Sequence, residues 1–297
     1  MHLTDERWHA LLHRRAADPA AVQRAYADRR RRTSLLSPRG TLFLVAADHP
    51  ARGALGVGAD RTAMADRRML LERLLIALDN PAVDGVLGSP DIVEELLLLD
   101  ALHDKVVIGS MNRGGLAGAD WEIDDRFTGY DAESLVKFRL DGGKMLLRLV
   151  DSDPGTIPTL HACARAVSDL AIHGLTAMVE PLPYHRDSSG ALVMRKDSAS
   201  LQRAITIASG LGITSAHTWL KIPAPEDISV LDATTLPVVV LGGAPSGDVH
   251  ADLTSWGSAL RHDVTRGLVV GRSLLYPRNG DVAGAVAAAA RVVREAR

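Results

Sequence analysis

Eight short apolar runs recur along this chain, each followed by a helix-like stretch or a short link, and nothing else in it restricts the fold as strongly. The runs are Thr41–Ala46, Val83–Leu87, Val106–Ile108, Lys144–Leu149, Leu175–Val179, Thr218–Leu220, Leu236–Leu241 and Leu268–Val270. The first, TLFLVA, is almost wholly apolar, as a strand covered on both faces must be. Helical spacing or helix-start chemistry falls over Met64–Leu78, Ile92–Leu99 and Asp131–Leu140, and near 156–173, 197–210, 247–261 and 280–295. Eight strands in one unbroken alternation predict an α/β chain folded as a (β/α)8 TIM barrel. A doubly wound open sheet is the competing architecture, but it leaves the last two strands without a role, and no GxGxxG follows the first strand.

Two further helices are expected ahead of the first strand, over 4–15 and 18–32. Thr4 can cap the first, and Asp18 followed by Pro19 supplies an N-cap and first-turn pair for the second. No linker rich in Pro, Gly or Ser divides the chain, so residues 1–297 are expected to form one domain, with 1–40 as an N-terminal helical extension. That extension is expected to cap the barrel floor or to pack between subunits of a homo-oligomer. The run Arg29–Arg32 reads as a solvated helix end rather than a dock for an acidic partner.

Composition removes several classes of function. A formal net charge of −2 with mixed signs gives no footprint for nucleic acid. No apolar run is long enough to span a bilayer. The N-terminus, MHLTDERWHALLHRR, carries acids early and lacks an apolar core, so it does not read as a secretory signal. One cysteine, Cys163, excludes an internal disulfide and suits a reducing cytoplasm. Placed in a helical stretch, it reads as a small buried apolar group rather than a nucleophile.

In a barrel of this kind, chemistry sits where strands end and βα loops begin. The first strand ends Ala47–Asp48–His49–Pro50. The fourth carries Lys144 and Arg148, which share parity and so point to one side. The fifth ends Glu180–Pro181, with Tyr184 soon after. The sixth runs into Lys221 within HTWLKIPAP, where Pro223 and Pro225 stop the ladder. The seventh ends Gly242–Gly243–Ala244–Pro245–Ser246 and the eighth Gly271–Arg272–Ser273. Glycine-bearing loops after the last two strands, with the fixed cation of Arg272, are the usual phosphate site of this fold. The bland alternative is that Gly242 and Gly243 only make a tight turn.

Lysine usage adds weight to Lys221. Of 34 basic residues five are lysine: Lys105, Lys137, Lys144, Lys196 and Lys221. Arginine keeps its proton in proteins whereas lysine can lose it. A lysine with an ordinary pKa of about 10.4 is only about 0.04% neutral at pH 7. Lowering that pKa to about 7.5 means destabilising the ammonium by roughly 4 kcal/mol, which burial and a nearby cation can do. Such an amine can attack a carbonyl and form a Schiff base. Lys144 is the candidate second cation, unless it merely starts its strand at the lower rim. Asp48 and Glu180 are the candidates for moving protons.

Metal catalysis is the competing chemistry, centred on Asp48, His49 and Glu180. Of 11 histidines only His49 and His185 lie near strand exits, short of the two or three ligands a zinc site wants. His103, His161, His173, His250 and His262 fall on helices or helix ends, and His217 begins its strand. No metal and no cofactor is therefore expected.

These residues resemble those of the class I, Schiff-base aldolases, in the branch of tagatose-bisphosphate and archaeal-type fructose-bisphosphate aldolases. The chain looks closest to the (β/α)8 group found with actinobacterial inositol-catabolism genes. Asp48 with RGAL at Arg52–Leu55, Lys144 in KMLLRLVD, Glu180 in EPLPY, Lys221 in WLKIP, and the pairs Gly242–Gly243 and Gly271–Arg272 carry the likeness across roughly residues 41–276. Arg148 and Leu149 replace family tyrosines. The resemblance implies reversible aldol cleavage of a phosphorylated keto-sugar. Lys221 would form the iminium, Glu180 and Asp48 would serve acid–base steps, and Lys144 would tune or position. Arg148, Gly242, Gly243, Gly271, Arg272 and Ser273 would hold substrate. It points to 5-dehydro-2-deoxygluconate 6-phosphate, cleaved to dihydroxyacetone phosphate and malonate semialdehyde. Ketose bisphosphates, a sulfofructose phosphate and deoxyribose phosphate are the alternatives, and a non-catalytic sugar-phosphate binder is a third class.

Overall fold

A computed structural model describes residues 2–243 and 248–296. Helices α1 (Asp5–Ala17) and α2 (Ala20–Asp28) come first. The chain continues with β1 (Leu42–Ala46), α3 (Arg67–Asp79), β2 (Gly85–Gly88), α4 (Pro90–Leu98), β3 (Val106–Ser110) and α5 (Ala132–Lys137). Next come β4 (Gly142–Leu149), α6 (Thr156–Ile172), β5 (Thr176–Arg186), β6 (Leu192–Met194), α7 (Ser198–Ser209) and β7 (Thr218–Pro223). The last elements are β8 (Val238–Leu241), α8 (Val249–Leu260), β9 (Thr265–Val270), α9 (Arg272–Leu275) and α10 (Val282–Glu295). Hydrogen bonding runs β4–β3–β2–β1–β9–β8–β7–β5, and β5 pairs back onto β4, so eight parallel strands close. The (β/α)8 barrel expected from the eight apolar runs is the fold observed, with two helices ahead of it.

Alternation along the strands builds two cores. On β1, Phe43 and Val45 face the helices and join the large cluster between sheet and helix ring. Leu42, Leu44 and Ala46 face inward and pack with Leu87, Ile108, Met178, Val239 and Val269. This inner layer fills the lower half of the barrel. Leu35, Leu36 and Trp219 close it from the side where the strands begin.

The N-terminal segment departs from its expected form. The second helix ends at Asp28, not near 32, and Pro19 rather than Asp18 holds its N-cap position, Asp18 pairing instead with Arg24. Arg29–Arg32 is no solvated helix end. Arg29 is buried at 2% exposure, donates to the carbonyls of Lys105 (2.9 Å) and Arg139, and pairs with Asp141. Arg31 meets Asp141 at 2.9 Å and Arg32 meets Asp84 at 2.6 Å. Each acid also accepts a strand-start amide, Asp84 from Phe43 (2.7 Å) and Asp141 from Val107 (2.8 Å). A helical wheel cannot reveal such a role, because these partners lie 52 to 112 residues away. Helices α1 and α2 themselves lie against α4, where Arg7 donates to the Leu99 carbonyl and Arg15 pairs with Glu94. The connector after them, rather than the helices, closes the floor.

One other feature differs from expectation. Strand β5 continues past the barrel rim and folds back as a hairpin, Tyr184 opposite Met194 and Arg186 opposite Leu192. Its turn is held by the Asp187 carboxylate, which accepts from the amides of Ser189 and Ala191. The link from β7 to β8 is a 3-10 turn, Ile228–Ala233, one of the short links the alternation allows.

Candidate active site

Above the apolar inner layer the inward positions turn polar, and four of them meet. Registry places Ser110 of β3 beside Lys144 of β4, and Leu146 of β4 beside Glu180 of β5. Lys144 is thus well inside the barrel, not at its lower rim. Glu180 stands between two ammoniums: Oε1 accepts from Lys221 Nζ and Oε2 from Lys144 Nζ. Lys144 Nζ also lies 3.5 Å from Asp48 Oδ2. All four side chains are nearly sealed from solvent. The four residues that sequence reading put at the centre of the chemistry form one contiguous cluster.

Two partners of Asp48 escaped the sequence reading. The Arg113 guanidinium pairs with its carboxylate, and the Ser110 hydroxyl donates to Oδ2 at 3.0 Å. Arg113 Nε donates in turn to Ser110 Oγ at 2.9 Å. Both follow the third apolar run, which loses its apolar character at Gly109 and so hides that β3 continues to Ser110. With Arg113 counted, the cluster sets three cations against two carboxylates.

That surplus governs the protonation states. Burial pushes the Lys221 amine down; Glu180 pulls it back, while Arg113 and Arg272 lower it again. Lys144 is driven well below the ordinary lysine value, by burial first and by Arg113 next. Burial alone would raise the Glu180 carboxyl, but Lys144 and Lys221 outweigh it and hold that carboxyl well below its ordinary value. Even Arg113 is lowered by burial to about 10. Glu180 is therefore an ionised acceptor already aimed at an amine that gives up its proton readily.

Above Lys221 opens a cavity of about 440 Å³. Its charged lining includes Asp48, Glu180, Lys221, Arg52, Arg113 and Arg272. Leu146, Leu182, Tyr184 and Leu241 form an apolar wall, to which the unforeseen hairpin adds Leu192 and Met194. Gly242, Gly243 and Gly271 line the cavity too. Packing gives two of these glycines a reason of their own. A Cβ at Gly271 would stand 2.3 Å from the Ala46 carbonyl oxygen, and one at Gly242 would stand 2.4 Å from Val270 Cγ1. Ala244, Pro245 and Ser246 fall outside the described residues. Arg272 donates a long hydrogen bond to the Gly56 carbonyl (3.4 Å), and its Nε is buried without a hydrogen-bond partner. Ser273 does not line the cavity; its Oγ is buried and unpartnered.

Arg148 points into the barrel, as its parity with Lys144 requires, and lines the cavity while held by protein partners. Its Nε and Nη2 grip Asp125 at 2.8 and 2.9 Å, and its Nη1 meets Glu122 at 3.0 Å. Glu122 also faces Arg52 at 3.4 Å. This network fastens the long β3–α5 loop over the mouth. Cys163 is buried in α6 with its thiol pushed up to about 12, a packed apolar group as expected.

Among the described residues no three or more His, Cys, Asp or Glu side chains gather as a metal would require. The trio Asp48, His49 and Glu180 fits a divalent ion poorly, since Lys144, Lys221 and Arg113 occupy both Glu180 oxygens and Asp48 Oδ2. No helix among the described residues is long and apolar enough to cross a membrane.

A family model described as Cgl0159-like matches residues 40–290. No curated protein matches the chain. Among solved structures, Cgl0159 from Corynebacterium glutamicum is 48% identical, with 98% of each chain covered and a TM-score of 0.95. An archaeal fructose-1,6-bisphosphate aldolase, solved with its catalytic lysine covalently bound to the carbinolamine intermediate, is 18% identical, covering 92% of this chain and 99% of that one with a TM-score of 0.67. The fructose-bisphosphate aldolase from Slackia heliotrinireducens is 14% identical, covering 95% of this chain and 92% of its own with a TM-score of 0.59. At those two identities the likeness is one of fold, a (β/α)8 barrel.

Proposed function

The chain belongs to the Cgl0159-like family, and from that premise we propose that it is a class I aldolase acting on a phosphorylated keto-sugar through a Schiff base on Lys221. One observation carries the reading: the Lys221 amine is buried against Glu180 inside a cavity that also presents Arg272 and the glycine-bearing strand ends. Lys144 contacts Glu180 and Asp48 but does not line that cavity, so the nucleophile is Lys221 and Lys144 positions Glu180.

Lys221 passes a proton to Glu180 and attacks the ketone carbon. The carbinolamine loses water, its oxygen leaving with protons supplied by the cluster, and an iminium forms. The iminium draws in the electron pair of the adjoining carbon–carbon bond as the aldehyde departs. The resulting enamine is protonated on carbon, and water then releases the ketone phosphate and restores the amine. Arg272, with Gly242, Gly243 and Gly271 around it, holds the phosphate, and Arg52 adds a second cation at the same opening. Asp48, fixed by Arg113, Ser110 and Lys144, keeps the cation surplus in place.

The substrate we favour is 5-dehydro-2-deoxygluconate 6-phosphate, giving dihydroxyacetone phosphate and malonate semialdehyde as a step of inositol catabolism in the cytoplasm. The sequence resemblance supports that choice over ketose bisphosphates, sulfofructose phosphate and deoxyribose phosphate. A homo-oligomer draws support from Ile172 and Ile213, exposed at 68% and 73% on neighbouring segments.

Borohydride reduction in the presence of dihydroxyacetone phosphate tests the chemistry. The expected result is one ketone-phosphate adduct on the peptide that carries Lys221. Absence of an adduct with every sugar phosphate on the panel above overturns the reading. A turnover screen over the same panel then ranks the substrates.

A further inference from the structure

The carbon side of this reaction has no proton carrier among the roles assigned so far. Cleavage requires a proton to leave the hydroxyl on the departing carbon, and the enamine carbon must later receive one. Both oxygens of Glu180 hold lysine ammoniums. Once Lys221 is an iminium, its remaining N–H still faces Glu180. Asp48 is anchored through Oδ2 to Arg113, Ser110 and Lys144, and its Oδ1 faces His49 Nδ1 at 3.8 Å. Beside them stands a basic side chain whose Nδ1 makes no hydrogen bond. His49 lines the same cavity as Lys221, its side chain is 21% exposed, and its Nδ1 is buried without a hydrogen-bond partner, 3.8 Å from Asp48 Oδ1. Its backbone is the N-cap of the Pro50–Arg52 3-10 turn, and its ring edge rests on Gly271, where an added Cβ would come within 3.1 Å of Cε1. The imidazole is therefore placed by packing and open toward the substrate space.

Building on the aldolase reading above, we propose that His49 is the proton carrier on the carbon side. Its imidazole accepts the proton of the hydroxyl borne by the departing carbon. The O–H electron pair becomes the aldehyde carbonyl, and the broken carbon–carbon pair moves into the iminium to make the enamine. The imidazolium then returns its proton to the enamine carbon, so the residue ends neutral and no external reductant or oxidant enters. The groups facing the ring agree with this role. Burial first, then Arg272, Lys221 and Lys144, hold the imidazole well below its ordinary pKa against the opposite pull of Glu180, with the Asp48 carboxylate alongside. The ring is thus an uncharged base at neutral pH, which is the state an acceptor needs.

Dihydroxyacetone phosphate allows the test without knowledge of the aldehyde. Two readings are taken on wild type and on His49→Gln and His49→Asn: borohydride adduct at Lys221, and uptake of solvent deuterium at the ketone's reacting carbon. Adduct formation is expected to stay close to wild type, while deuterium uptake per adduct falls by about 10²–10⁴-fold and the acid limb of that ratio disappears. Variants that exchange at the wild-type rate, keep the acid limb of exchange per adduct, or lose adduct and exchange in parallel overturn the inference and leave Lys221 chemistry standing. A wild type that forms no adduct overturns the aldolase reading, and this inference with it.

Discussion

At the floor of the barrel Arg29, Arg31 and Arg32 meet Asp84 and Asp141, while at the mouth Lys144 and Lys221 meet Glu180. Both ends bury charge, but they use different cations. The floor needs planar donors that reach several acceptors at once, and Arg29 spans two carbonyls and a carboxylate. Its charge never has to change. The mouth uses amines whose proton burial and a surplus of positive charge loosen. A buried ion pair is therefore a poor guide to function until one asks whether its cation can be neutralised. Arg148, gripped by Asp125 and Glu122 at the mouth, belongs with the floor in this respect.

The sharpest way to break the comparison is Lys221→Arg, which keeps a positive charge where a neutral amine is required. Turnover should fall by more than about 10⁴-fold and the borohydride adduct should vanish, with Lys221→Met as a control of different charge. A Lys221→Arg enzyme that retained appreciable turnover would erase the distinction between the two ends.

Glu180→Gln comes next and should lower kcat by about 10²-fold or more, read from steady-state kinetics. Because Glu180 raises the Lys221 pKa, its loss should shift the acid limb of adduct formation to lower pH. The native Glu180 carboxyl titrates below its unfolded value, so its pairing stabilises the fold above the unfolded carboxyl range and is lost as pH falls through the native value. The stability gap between wild type and variant should accordingly narrow in acid.

At the floor, Arg29→Ala should cost about 3 kcal/mol in denaturant unfolding, the low end for a broken buried pair, because Arg31 still serves Asp141. The activity of the folded fraction should be unchanged; a selective loss of kcat would show that floor and mouth are not independent. Smallest of all is Arg31→Ala, whose side chain is 38% exposed and whose pair should contribute less than about 1 kcal/mol.

The barrel was legible in the chain because each strand is short, apolar and bounded, and because the runs alternate with helix-like stretches or short links throughout. Asp48, Lys144, Glu180 and Lys221 were legible for a related reason: a charged residue in such a run is conspicuous. Arg113 was not, since the stretch from Met111 to Tyr130 carries no periodicity and its partner Asp48 lies more than sixty residues earlier. His49 was visible but weighed only as a metal ligand. The arginine run misled because helix spacing reports local backbone alone, whereas its partners arrive from strands that begin far along the chain. The β5–β6 hairpin left only a three-residue strand, too brief for alternation to register.

The connector that plugs the base has a kinetic corollary. Molecules enter and depart through one aperture, so a ketone tethered at Lys221 must wait behind its aldehyde, and the sequence of release is fixed by architecture before any affinity is considered. Product-inhibition patterns should reveal a strictly ordered mechanism, with the phosphate ester last to exit.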